Sequence, residues 1–200
     1  MAVRRDPTTE PTPDWTADDD DAVWAKRART DRAAFGVLYD RYVDRVYAYC
    51  RRRLQTQEAA EDATSQTFLK ALAAIPRYRP EVGSFRAWLF TIANRVVIDG
   101  FRRGKPTTAL DDAVELRDPE PGPEREALER ETSRELYALV DRLPDEQANL
   151  IQLRLAGLTD REIAEVLGRS YGAIRVAQHR AIRRLQELAT NGSATRRTRP

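Results

Sequence analysis

Apolar residues return at every third or fourth position through one segment of this chain after another. Phe35, Leu38, Tyr42, Val46 and Tyr49 fall on one face of a long helix, and Phe85, Trp88, Leu89, Ile92 and Val96 on one face of another. No stretch of useful length alternates apolar with polar residues as a half-buried strand would, and no unit repeats. The periodicity therefore predicts an all-α fold.

Breaks in the pattern divide it into two small helical domains. Residues 1–21, with Pro7, Pro11, Pro13 and the acidic run Asp18 to Asp21, offer little to bury and read as a disordered acidic tail. The first domain spans 22–103. It contains the Phe35 helix, ending in Arg51, Arg52 and Arg53 where cations suit the helix dipole, and a helix from about Glu58 to Ala74. That second helix should turn Ala59, Ala63, Phe68, Leu69 and Leu72 inward and stop at Pro76. The loop RYRPEVGS follows, with Ser84 able to cap the next helix. Residues 104–123 change character: prolines, glycines and acids cluster there, which predicts a flexible acidic linker. A second domain, 124–190, turns Leu128, Leu136, Leu139, Val140, Leu150, Ile151, Leu153 and Leu155 inward, and 191–200 read as a second disordered tail.

Composition narrows the function. With 41% hydrophobic and 33% charged residues the chain can form a core, and Lys+Arg 34 against Asp+Glu 32 leaves a net charge of only +2. A nucleic-acid partner must therefore be argued from where the charges sit. One cysteine, Cys50, excludes an internal disulfide, and with His179 the only histidine nothing suggests a zinc cluster or a histidine relay. No metal, cofactor or catalytic residue is expected. The start of the chain has prolines and acids where a signal peptide needs an apolar run, and no stretch approaches the roughly 18 apolar residues of a membrane span. A cytoplasmic protein without membrane insertion is the expectation.

The segment LTDREIAEVLGRSYGAIRVAQHRAIRRL, 158–185, carries the sharpest local signals. Thr159 with Glu162 forms a capping box, Gly168 permits a left-handed turn, and Ser170 can cap a longer helix with Ile174, Ala177, Ala181, Ile182, Leu185 and Leu188 on one stripe. Two helices joined so tightly must cross steeply, as in a helix-turn-helix. Ser170, Tyr171, Arg175, Gln178, His179, Arg180 and Arg183 line the face left outside, where arginine can fork onto guanine and glutamine pair with adenine. An ordinary solvated charged face has the same sequence pattern, and the residues alone leave both readings open.

In order along the chain, FGVLYDRYVDRVYAYC, AEDATSQTFLKAL, FRAWLFTIANRVVIDGFRR and the stretch from LVDRLPDEQ to the end of the helix-turn-helix resemble the extracytoplasmic-function sigma factors of bacterial RNA polymerase. The resemblance spans about residues 22–190. Two positions depart from the family pattern: Ser65 stands where glutamine is frequent, and Asn94-Arg95 where the reverse order is usual.

The resemblance implies a sigma2-like helical bundle and a sigma4-like helix-turn-helix domain. Such a protein is not an enzyme; it holds core polymerase over a promoter and helps open the strands. It also implies docking through Asp62, Ser65, Gln66 and Phe68 on a coiled-coil of the polymerase's largest subunit, and further contact with the polymerase flap. Melting of the downstream promoter element would use Arg77, Tyr78, Arg79, Asn94, Arg95, Arg102 and Arg103, with Tyr78 either a stacking platform or simple loop packing. The helix-turn-helix would read the upstream element. An anti-sigma factor is a further implied partner, and the free chain is expected to be a monomer. A dimeric helix-turn-helix regulator and a helical nucleic-acid enzyme are the competing readings. The first would need a dimer interface or receiver domain, and the second a convergent acidic or histidine-containing site.

Overall fold

The structure is a computed structural model that describes residues 18–54, 56–103 and 136–197. Every regular element among the described residues is helical. The first helix, α1 (Asp18–Ala28), starts inside the acidic run that composition assigns to a tail. The reason is tertiary: Asp21 is buried and accepts hydrogen bonds from the Tyr42 hydroxyl and from Arg41, while Asp20 accepts from Arg41 Nη2 at 2.7 Å. Carboxylates in a first helical turn also suit the dipole.

In α2 (Arg32–Arg53), Asp31 caps the start by accepting from the Ala33 N–H at 2.9 Å, and Phe35, Leu38, Tyr42, Val46 and Tyr49 are buried as the spacing predicts. Thr56 caps α3 (Gln57–Ala74) through the Ala59 N–H at 3.2 Å. The inward face of α3 differs from the expected one. Ala60, Ala63, Thr64, Thr67, Phe68 and Ala71 are buried, whereas Leu69 is 67% exposed. Thr64 and Thr67 donate to the carbonyls of Ala60 and Ala63, both at 2.7 Å. Their hydroxyls need no other partner, so small polar residues can occupy a closely packed face. Pro76 ends α3 in a short 3₁₀ turn, Ile75–Arg77.

The helix α4 (Phe85–Arg103) begins where Ser84 Oγ accepts from the Ala87 N–H at 3.1 Å. Beyond the undescribed stretch 104–135, which includes the expected linker and Leu128, helical residues 136–140 lead to α5 (Asp145–Leu155), with Pro144 at its cap. Next come α6 (Asp160–Leu167) and α7 (Tyr171–Arg197). The last of these carries the helical backbone through residues expected to form a tail. Leu136, Leu155 and Ile182, expected inward, are exposed. Val140, Leu143, Leu158, Ile163 and Ile174 fill the positions that matter in this second unit.

The two units are not held apart. Their buried residues form one continuous cluster, with α6 packed on α4 and α5 on α2. At the end of α2, Arg52 lies over the Tyr137 ring and Arg53 Nη1 is 3.5 Å from Asp145 Oδ1. Burial lowers the Arg52 guanidinium from its ordinary value, against the opposing pull of Tyr137 and Asp141. Cys50 is buried, and burial pushes its thiol up to about 12.

Candidate nucleic-acid interface

The helix-turn-helix is assembled by local chemistry. Thr159 Oγ1 accepts from the Glu162 N–H, and the Glu162 carboxylate accepts from the Thr159 N–H at 2.7 Å, completing the capping box. Gly168 takes φ +62, a left-handed conformation that costs a residue with a Cβ about 1–2 kcal/mol. Ser170 then caps α7 through the Ala173 N–H at 3.2 Å. Buried Ile174 and Ala181 anchor α7 to the core.

On the opposite face Tyr171, Arg175, His179, Arg180 and Arg183 are exposed, with Arg183 loosely paired to Glu187 at 3.8 Å. Gln178, expected among the readers, is instead half-buried. With its amide oriented to suit its neighbours, it donates to Asp160 Oδ1 at 2.9 Å and accepts from Arg154 Nη2 at 3.1 Å. Arg154 also donates to Asp160 and to the Leu158 carbonyl, so this group ties α5, α6 and α7 together. In this structure the Gln178 amide is engaged by Asp160 and Arg154.

Arg77 and Arg79, before the start of α4, and Arg95, near its middle, are exposed cations. Arg102 and Arg103 close the helix, and their side chains lie outside the described residues. Two expected contributors are turned inward. Tyr78 is 3% exposed, packs against Phe85 and Trp88 at ring separations of 5.8 and 5.2 Å, and donates to the Gly83 carbonyl at 3.0 Å. Loop packing, not an open stacking platform, is what its ring does here. Asn94 is 7% exposed; its Oδ1 accepts from the Tyr49 hydroxyl at 3.0 Å and from Asn149 Nδ2 at 3.1 Å.

The outer strip of α3 is different again. Asp62 and Ser65 are exposed, and Gln66 donates back to Asp62 at 2.7 Å. Phe68 is buried, edge-on to Tyr39 at 4.7 Å, and the exposed apolar side chain beside it is Leu69.

Sequence reasoning missed the second role of Glu162. Besides closing its own cap, this carboxylate, 5% exposed, accepts from Ser84 Oγ at 2.5 Å and from Arg86 Nε at 3.0 Å. A long-range partner leaves no local pattern, so nothing in the sequence around Glu162 points to it. Burial pushes the Glu162 carboxyl up, but hydrogen bonds from Ser84, Thr159 and Arg86 and the Arg86 charge outweigh it and hold it below the ordinary 4.5. The charged form is thus the one the fold favours, so its contribution is present above 4.5 and lost as pH falls through the lowered value. Urea titrations of wild type and Glu162→Gln should show a stability gap that narrows on acidification below 4.5. A gap that widens would reverse the sign of the linkage.

Residues 38–107 match Sigma-70 region 2, and residues 133–185 match Sigma-70, region 4. The ECF RNA polymerase sigma factor SigD of Mycobacterium tuberculosis is 34% identical over 177 residues, covering 84% of this chain and 82% of SigD. The chain belongs to the ECF RNA polymerase sigma factors. A second ECF sigma factor, BldN of Streptomyces coelicolor, is 39% identical over 167 residues; these cover 82% of this chain and 63% of the length of BldN. The fold of this ECF sigma factor is similar to that of CnrH, solved with the cytosolic domain of CnrY, with a TM-score of 0.65 at 24% identity over 86% of this chain and 97% of CnrH. It is also similar to RpoE of Bartonella quintana, solved with the anti-sigma factor NepR, with a TM-score of 0.61 at 21% identity over 78% of this chain and 96% of RpoE. The two helical units are therefore the region 2 and region 4 domains of an ECF sigma factor, a factor for transcription initiation. No helix among the described residues is long and apolar enough to cross a membrane.

Proposed function

We propose that this sigma factor binds core RNA polymerase, directs it to particular promoters and promotes strand opening, while catalysing no reaction itself. The carrying observation is the outward row Arg175, His179, Arg180 and Arg183 on a capped helix-turn-helix, in a chain whose region 2 domain presents Arg77, Arg79 and Arg95. The row suits the upstream element: guanidinium groups fork onto guanine, and cations farther along the helix hold phosphates. In region 2 the exposed arginines suit the backbone of a separated strand, whose unpairing costs a few kcal/mol that new contacts must offset.

The face of α3 with Asp62, Ser65, Gln66 and Leu69 is the proposed dock for the largest-subunit coiled-coil, and region 4 the dock for the flap. Exposed Leu69 beside a polar strip gives that dock an apolar centre. An anti-sigma factor is the further proposed partner, in keeping with the solved complex of RpoE and NepR. The acidic segment between the domains is proposed to lie along the polymerase's nucleic-acid channel, or to act only as a spacer. Two modest DNA grips on one scaffold gain affinity through effective concentration, so neither needs a large basic excess.

Co-purification with core polymerase, followed by mapping of transcript 5′ ends, tests the assignment. New initiation at defined start sites is expected, and its absence would remove the sigma reading. On the promoters so found, Arg175→Ala should weaken use by about 1–3 kcal/mol if base reading is direct. Gln178→Ala should act differently, lowering the stability of region 4 by about 1 kcal/mol through its lost internal bonds and leaving promoter choice unchanged. If Gln178→Ala alone shifts promoter choice, the reading surface is not the exposed row.

A further inference from the structure

The row of cations on α7 leaves its middle uncharged. Gly172 and Val176, about one helical turn apart, stand on the outward side, opposite buried Ile174 and Ala181. Val176 is 52% exposed, an apolar side chain that the core does not use. Helical spacing places exposed Arg175 and His179 on one side of it and exposed Arg180 on the other. Ala173, Val176 and Ala177 also line an open cleft together with Arg180 and with Glu146 of α5, which pairs with Arg169 at 2.9 Å. We infer that Val176 is a specificity-determining residue: it receives the 5-methyl group of a thymine of the upstream element, in the major groove. This deepens the function proposed above and rests on it.

Three features support a methyl contact over an idle surface valine. A helix in the major groove meets base edges through residues near its N-terminus, and Val176 lies in the second turn of α7. Of the groups that the groove presents, the thymine methyl is the apolar one. A valine has no hydrogen bond to offer a purine or a cytosine, so removing its side chain from water is rewarded against that methyl. Glycine at 172 fits a close approach. A Cβ built there meets no protein atom within 4 Å, so packing inside the chain does not require glycine. Glycine weakens a helix relative to alanine, and what it offers in return is room for the helix backbone to come near the base pairs. The charges of the cleft agree. Glu146 disfavours a backbone phosphate there but not a neutral base edge, which leaves the phosphates to Arg180 and Arg183.

Holoenzyme assembled from core polymerase and the full chain tests this on a promoter found by start-site mapping. Each thymine of the upstream element, on either strand, is replaced in turn by deoxyuridine, which lacks only the methyl group. At one thymine the exchange should lower wild-type occupancy by about fourfold, the typical contribution of one buried methyl group. Val176→Ala should show a similar loss on the unmodified promoter and no further loss with deoxyuridine at that position. The fold of this variant is secure, since residue 176 is exposed and alanine favours a helix. Arg175→Ala, by contrast, should lose occupancy and keep the deoxyuridine effect. Deoxyuridine without effect at every position, or an undiminished effect in Val176→Ala, would overturn the inference. So would an effect abolished in Arg175→Ala but kept in Val176→Ala, which would give the methyl to another residue. In each of these cases the start sites remain and the sigma assignment stands, whereas the absence of any start site would remove both.

Discussion

Phe85→Ala is expected to lower the unfolding free energy by about 3–5 kcal/mol. Phe85 is 2% exposed and packs against Tyr42, Tyr78 and Trp88 at ring separations of 5.6, 5.8 and 5.5 Å. Those rings belong to α2, the turn before α4, and α4 itself, so removing the central ring leaves a space whose walls are anchored on three sides. The cost of a large-to-small substitution grows with the cavity that the site cannot close. Against a total stability of about 5–15 kcal/mol, the loss is large. It should appear as a fall in the urea midpoint with little change in slope. The effect should also reach function, because Tyr78 and the loop behind it would lose their backing, and strand opening should suffer before upstream binding does. A loss below about 1 kcal/mol would mean that the aromatic cluster collapses freely, contrary to its anchoring.

The second large effect is expected at a residue that composition places in a tail. Asp21→Ala should cost about 3 kcal/mol, because it strips the buried Tyr42 hydroxyl of its acceptor and removes a charge-assisted bond to Arg41. The remaining pair, Asp20 with Arg41, is more exposed and worth under about 1 kcal/mol. Amide hydrogen exchange across α1 should rise together with the fall in urea midpoint, since the helix would lose its tie to α2. Combining Asp21→Ala with Tyr42→Phe should recover part of the loss, because a buried hydroxyl with no acceptor costs more than no hydroxyl at all. If Asp21→Ala changes stability by less than about 0.5 kcal/mol, then α1 is held by its apolar face alone.

Glu162 and Gln178 mark the limit of reading in one dimension. For Glu162 the capping box was legible from four residues of sequence, and the structure has it in full; its bonds to Ser84 and Arg86 join positions 78 and 76 residues apart. Gln178 sits at the right spacing from Arg175 to belong to a reading face, yet its amide lies against Asp160 and Arg154. Helical spacing fixes the direction of a side chain only to within the width of a face, and Gln178 stands at that edge. On α3 the error had another source. Its spacing and hydrophobicity place Leu69 inward, but the close approach of helices favours Ala60 and Ala63 together with Thr64 and Thr67, the two hydroxyls being satisfied by their own backbone.

What the chain decides by itself is everything set by interactions within a few residues. That includes helical periodicity, the caps at Asp31, Thr56, Thr159 and Ser170, the left-handed turn at Gly168, and from these the helix-turn-helix. What only the tertiary structure decides is which polar groups are already spent: Asp21 on Tyr42, Gln178 on Arg154, Asn94 on Asn149, Glu162 on Arg86. The reason is that burial and pairing of a polar side chain depend on partners brought together by packing, and local periodicity contains no information about a partner on another helix.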